Sequence, residues 1–216
     1  MTDAAIPNRC RLVLIAPQSG DAVAAVEAAL SGGDVASLML PKGARSEQDY
    51  QAFVDAVTPI AQALGVAVFA EGDARVAMRA KTDGLHFEGS KADLADMVER
   101  HGSKIMVGTG GVKTRDDALE LGETQPDYMF FGRFGYDGKA EAHPRNLGLG
   151  EWWAQMVAIP CIVMAGASDD SVMAVAETRV DFVAVEQAVF ASGEPGERVK
   201  ALNALLDEKA PRLDEE

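Results

Sequence analysis

Basic residues are in short supply: 20 Lys and Arg stand against 34 Asp and Glu, for a net charge of −14. Nucleic acid and anionic membrane both reward clustered cations, so neither is expected as the main partner. Solubility is the ordinary use of such acidity, and the terminal "LDEE" fits it. Cysteine is scarcer still. Cys10 and Cys161 sit beside apolar runs rather than in a CxxC pair, and read as small core residues in a reducing compartment. The start "MTDAAIPNRC" lacks the basic opening and long apolar run of a signal peptide. No apolar run approaches the ~20 residues needed to span a bilayer. A cytoplasmic protein without membrane contact is the expectation. Metal-ligand spacing of His and Cys is missing, as are GxSxG, P-loop and GxGxxG patterns.

What the chain does have is apolar content, 48% over 216 residues, enough to bury a full core as one domain. Those residues alternate between two periodicities. Strand-like runs at 11–16, 35–40, 66–70, 84–87, 104–108, 127–132, 160–166 and 181–186 are each followed by a helical pattern. The helical stretches are 21–33, 46–65, 74–81, 91–102, 114–122, 149–157, 169–178 and 195–210. Pro59 within 46–65 is expected to kink or break that helix. The strands are apolar throughout, as when both faces are covered. Eight such units fit a (β/α)8 TIM barrel better than an open doubly wound sheet, although an open sheet of eight strands shares the periodicity. The expected organisation is an N-terminal extension (1–10), one barrel domain (11–210) and an acidic tail (211–216). The longest irregular segment, 132–148, is polar and glycine-containing and reads as a flap over the site.

In a barrel, chemistry sits where strands end. The second strand runs into Pro41-Lys42-Gly43, a lysine that is either chemistry or the solvated edge of a turn. Strand three ends in Glu71-Gly72-Asp73 and strand four in Glu88. These acids are close enough in a barrel to share a magnesium ion, or are separate solvated loop acids. Strand six leads into Arg133. "AGASDD" after strand seven puts small residues ahead of a helix N-terminus, where backbone N–H groups favour an anion. Strand eight enters at "EQAV", the usual second half of a barrel phosphate site, though Glu186 adds a negative charge there. Small residues at such turns also serve tight packing. His86 lies inside strand four and reads as a satisfied core histidine.

The order of these strand-end motifs resembles the thiamine phosphate synthase and thiazole tautomerase superfamily, from about Arg11 to Phe190. "AMRAKTDGLHFEGSKADL" (77–94) is similar to the family's "A…GADGVHLGQ…DL", with Asp83, Gly84 and His86 in register. "PDYMFFGRFGYDGK" (126–139) resembles its "ADYVGFGPVFPT…K", and "IPCIVMAGASDD…VDFVAVEQAVF" (159–190) its phosphate-binding ending. The resemblance implies a transferase of thiamine metabolism that joins an aminopyrimidine pyrophosphate to a thiazole phosphate, with magnesium escorting the departing pyrophosphate. On it, Lys42, Arg133 and Lys139 are the candidate catalytic groups. Gly166, Ala167, Gln187 and Ala188 would hold phosphate, and Glu71 and Asp73 the metal.

The charged positions nonetheless depart from the family. Its Gln-Arg-Lys set after strand two falls on Met39, Pro41 and Gly43, with Lys42 one place off. Its Asn-Asp falls on Glu71 and Gly72, with Asp73 one place off, and its metal aspartate falls on Lys91. Its Ser-Thr-His becomes "GTGGV", its Pro-Thr flap "GYDG", and its Val-Ser on strand eight Glu186-Gln187. Two functions follow as expectations: a thiamine phosphate synthase-like enzyme, or a catalytically inactive paralogue that binds a small metabolite or a partner protein. A phosphorylated small molecule is the expected ligand, and a homo-oligomer is left open.

Overall fold

The computed structural model describes residues 6–18 and 20–214. Half of the expected N-terminal extension (1–5), Ser19 at the end of the first strand, and 215–216 of the acidic tail lie outside the described residues. The elements run β1 (Arg11–Ile15), α1 (Ala22–Leu30), β2 (Ser37–Leu40), α2 (Glu47–Ala63), β3 (Ala67–Glu71), α3 (Ala74–Ala80), β4 (Gly84–Phe87) and α4 (Lys91–His101). The second half is β5 (Met106–Thr109), α5 (Arg115–Gly122), β6 (Met129–Phe131), α6 (Pro144–Met156), β7 (Cys161–Met164), α7 (Asp169–Glu177), β8 (Phe182–Val185), α8 (Gln187–Phe190) and α9 (Pro195–Lys209). The strands pair in parallel and in chain order, and β8 closes onto β1 through Arg11↔Phe182 to Leu14↔Val185. The protein is a (β/α)8 TIM barrel.

Closure explains why the strands are apolar on both faces. Val13, Ile15, Met39, Phe69, Tyr128, Phe130, Ile162, Met164 and Ala184 fill the interior. Their neighbours along the same strands, such as Leu12, Leu14, Val68 and Ala70, pack outward under the helices. Large inward rings need small partners across the barrel. A Cβ on Gly84 would run into the Phe69 ring, and one on Gly108 into the Tyr128 ring.

The bottom of the barrel is tied by a repeated aspartate. Each even strand is preceded by one that reaches back to the odd strand before it. Asp83 accepts the Val68 N–H (2.8 Å), Asp127 the Val107 N–H (2.6 Å) and Asp181 the Cys161 N–H (2.8 Å). Asp34 instead takes both guanidinium arms of Arg11 on β1. The N–H groups of Val68, Val107 and Cys161 thereby find charged acceptors. Arg9 and Cys10 also pack at this end: Arg9 is buried and donates to Asp207 and Asn203 on α9. Cys10 and Cys161 are buried and free, and burial raises both thiols well above their usual range.

Two expectations need correction. Helix α2 runs unbroken through Pro59. The proline lies on the exposed face, so the Asp55 carbonyl it leaves without an N–H faces water. The irregular segment after β6 ends at residue 143, because α6 starts at Pro144 rather than at 149. His143 caps that helix, its Nδ1 accepting the Arg145 N–H at 3.2 Å, and Pro144 suits the first turn.

Candidate active site

The C-terminal mouth divides into an open side and a filled side. On the open side, Tyr50 of α2 donates its hydroxyl to Leu40 O (2.7 Å) and accepts the Glu71 N–H (2.6 Å), locking the ends of β2 and β3 together. The Glu71 carboxylate accepts the Lys42 N–H at 2.6 Å, which holds the turn bearing that lysine. From this turn a groove of about 540 Å³ runs outward between α2 and α3, lined by Lys42, Gln51, Asp55, Asp73, Arg75 and Arg79 among others. Asp73 caps α3 and pairs with Arg75, whose hydrogen bond leads the causes that hold its carboxyl below the usual range.

A second cleft, of about 590 Å³, lies between the β4 and β5 ends, with Glu88, Lys91, Gly110 and Gly111 on its walls. Behind it His86 points into the barrel, 1% exposed, as expected of a satisfied core histidine. Its Nδ1 is hydrogen-bonded to the Tyr128 hydroxyl at 3.0 Å, and its Nε2 lies 3.4 Å from Glu88 Oε1. Phe130 and Phe134 pack against its ring. The His86 hydrogen bond, with help from the Arg133 charge, lowers the Glu88 carboxyl. Burial raises the Tyr128 phenol well above its normal value. Glu88, His86 and Tyr128 form one polar chain from the mouth to the middle of an otherwise apolar barrel.

On the filled side, the segment after β6 lies over β7 and β8. The Ala167 N–H donates to Lys139 O (2.7 Å), and Ser168 donates to Ala140 O from its N–H (3.2 Å) and its hydroxyl (2.8 Å). The Gln187 N–H donates to Asp137 Oδ2 at 2.6 Å. Asp137 and Glu186 are both buried, at 3% and 5% exposed. Asp137 Oδ1 and Glu186 Oε2 have no hydrogen-bond partner among the described residues. Burial, then the neighbouring Asp137 charge, pushes the Glu186 carboxyl up to about 7. Burial raises Asp137 too, against the pull of backbone N–H groups led by that of Gln187.

The residues expected to act together are spread over this mouth. Lys42 lines the first cleft. Arg133 lies over the Tyr136 ring at 4.1 Å and exerts its field on Glu88. Lys139 meets the β7 turn through its backbone carbonyl, its side chain exposed. Gly166, Ala167 and Gln187 sit under segment 137–141, and Ala188 is buried in α8. Glu71 and Asp73 each accept a backbone N–H, and Lys91, at the place of the family's metal aspartate, pairs with Glu123. No group of three or more His, Cys, Asp and Glu among the described residues is arranged to hold a metal ion. The sequence reading missed Asp137; the one signal for it was an acid in a short glycine-bounded turn.

Parallel strands, a closed barrel and this pattern of strand ends define a class, and the sequence comparison names it. The thiamine monophosphate synthase family matches residues 12–189, and the chain belongs to that family. It is 34% identical to a thiamine-phosphate synthase of Hyphomonas neptunium, over 97% of this chain and all of that one. A thiamine-phosphate synthase of Rhodospirillum centenum is 30% identical over 82% of this chain and 87% of its own length. Among solved structures, a thiamine phosphate pyrophosphorylase of Pyrococcus furiosus superposes with a TM-score of 0.78 at 19% identity, covering 93% of this chain and 97% of that one. A 3-hexulose-6-phosphate synthase follows at 0.70 and 16% identity, covering 90% and 98%. At these identities the structural likeness speaks for the barrel alone. No helix among the described residues is long and apolar enough to cross a membrane.

Proposed function

We propose that this thiamine phosphate synthase-like protein acts in thiamine metabolism, taking a phosphorylated thiazole or pyrimidine at the C-terminal mouth of the barrel. The observation that carries this reading is the 34% identity with a thiamine-phosphate synthase over the whole of that relative. The strand ends and the loop after β6 supply what such a ligand needs. Lys42 and Arg133 offer cations to an anionic end, and water-accessible Glu88 with His86 behind it offers a proton acceptor. Phe134 gives a heteroaromatic ring an apolar surface beside His86. The reaction is tested by supplying the aminopyrimidine pyrophosphate and the thiazole phosphate with magnesium and looking for thiamine phosphate. No product at high protein concentration sinks the synthase reading.

A second reading, a paralogue that binds a metabolite or partner without catalysing transfer, is favoured by one observation. Met39 and Pro41 stand where the resemblance implies polar contacts to pyrophosphate, and a missing charge-assisted clamp weakens such recognition by several kcal/mol, on the order of 1.5–3 for each bond lost. Absence of product together with saturable binding of the thiazole phosphate supports this reading. Absence of both excludes the thiazole phosphate as its metabolite.

A further inference from the structure

The mouth above β7 and β8 is shaped as an anion cradle and is filled by the chain itself. Backbone N–H groups at the turn after β7 and at the end of β8 are the donors that parallel barrels offer to phosphate. Here those of Ala167, Ser168 and Gln187 already have acceptors in segment 137–140. Asp137 anchors the segment: from residue 135 to 141 it is the one buried position. Gly166 permits the close approach, since a Cβ there would stand 2.5 Å from the carbonyl oxygens of both Ala140 and Glu141. Beside Asp137, the buried Glu186 keeps one carboxylate oxygen without a partner among the described residues. A phosphate entering this place must first displace a carboxylate and then stand next to another.

We infer that Asp137 and Glu186 are specificity-determining residues that bar phosphate from the β7–β8 mouth. Asp137 occupies the phosphate's place on the Gln187 N–H, and Glu186, where ionised, repels an anion beside it. The inference rests on the reading that a ligand enters this mouth, and it directs that ligand's anionic end to the side of Lys42 and Arg133.

Amide NMR with inorganic phosphate tests it. In the parent protein, the amides of Ala167, Ser168 and Gln187 stay unmoved up to about 10 mM phosphate. Combining Asp137→Ala with Glu186→Gln lets phosphate shift the same amides, with binding at least about tenfold tighter. Glu186→Gln alone leaves Asp137 in place and stays unmoved. If the double variant loses its dispersed spectrum, Asp137→Asn takes its part: it keeps the side-chain shape, drops the charge and shows a smaller gain in phosphate binding. Phosphate binding at these amides in the parent, or none in a folded Asp137 variant, overturns the inference. The readout involves no product, so its failure is distinct from failure of the synthase assay.

Discussion

Carboxylates serve the two ends of this barrel in opposite ways. At the bottom, Asp83, Asp127 and Asp181 each meet a strand N–H that the sheet leaves over, and Asp34 meets Arg11. At the mouth, Asp137 and Glu186 are more deeply buried, lie near each other and retain unpaired oxygens. The same functional group closes the fold where a donor awaits it and weakens the fold where a second acid awaits it. Burial sets the cost at the mouth, the neighbouring acid adds to it, and backbone donors offset it only in part.

The sharpest break of that contrast is at the bottom. Asp181→Ala leaves the Cys161 N–H without its acceptor and lowers stability by about 2 to 3 kcal/mol, read from urea unfolding. At the mouth the sign reverses. Folding favours the neutral form of Glu186, whose carboxyl moves from the ordinary 4.5 up to about 7. Its stabilising contribution is complete below about pH 4.5 and is lost as pH rises through about 7. Glu186→Gln therefore flattens the unfolding midpoint between pH 5 and 8, and at pH 8 exceeds the parent by about 2 kcal/mol. A Glu186→Gln protein less stable than the parent at pH 8 would erase the distinction between the two ends.

Smaller effects sharpen the picture. Asp73→Ala removes the cap of α3 and costs about 1 kcal/mol in thermal or urea unfolding, a cost that a metal ligand would not show without metal. Lys91→Ala breaks an exposed pair with Glu123 and leaves the urea unfolding midpoint essentially where it was. A larger loss would assign Lys91 a place in the fold beyond that pair.

The barrel was legible in the sequence because every strand carries its own punctuation: a uniformly apolar run, then Pro, Gly or an acid, then a helix cap such as Ser46, Ser90, Thr114 or Ser168. The start of α6 was hidden, since His143 is an unusual cap and Gly148 and Gly150 dilute the helical pattern. The unbroken α2 was hidden too, because whether a proline breaks a helix depends on which face its freed carbonyl turns to. The family match over residues 12–189 upheld the resemblance. The site was less legible. Its donors are backbone N–H groups, identical in every residue but proline, and their partners depend on the path of segment 133–143. Glu186 was visible as a charge in the wrong place for phosphate; that Asp137 comes to stand beside it is a matter of loop geometry.

Arg9 has a consequence for the chain's connectivity. It bonds Asp207 and Asn203, and its backbone bridges to that of Arg212, so the first and last described stretches lie side by side at the bottom. The order in which the eight units are threaded is thus separable from the order in which they stand in space. A short peptide joining the stretch at Arg9 to the stretch at Arg212 would make a circular arrangement, reopenable at an exposed turn of the bottom face such as the one at Gly65.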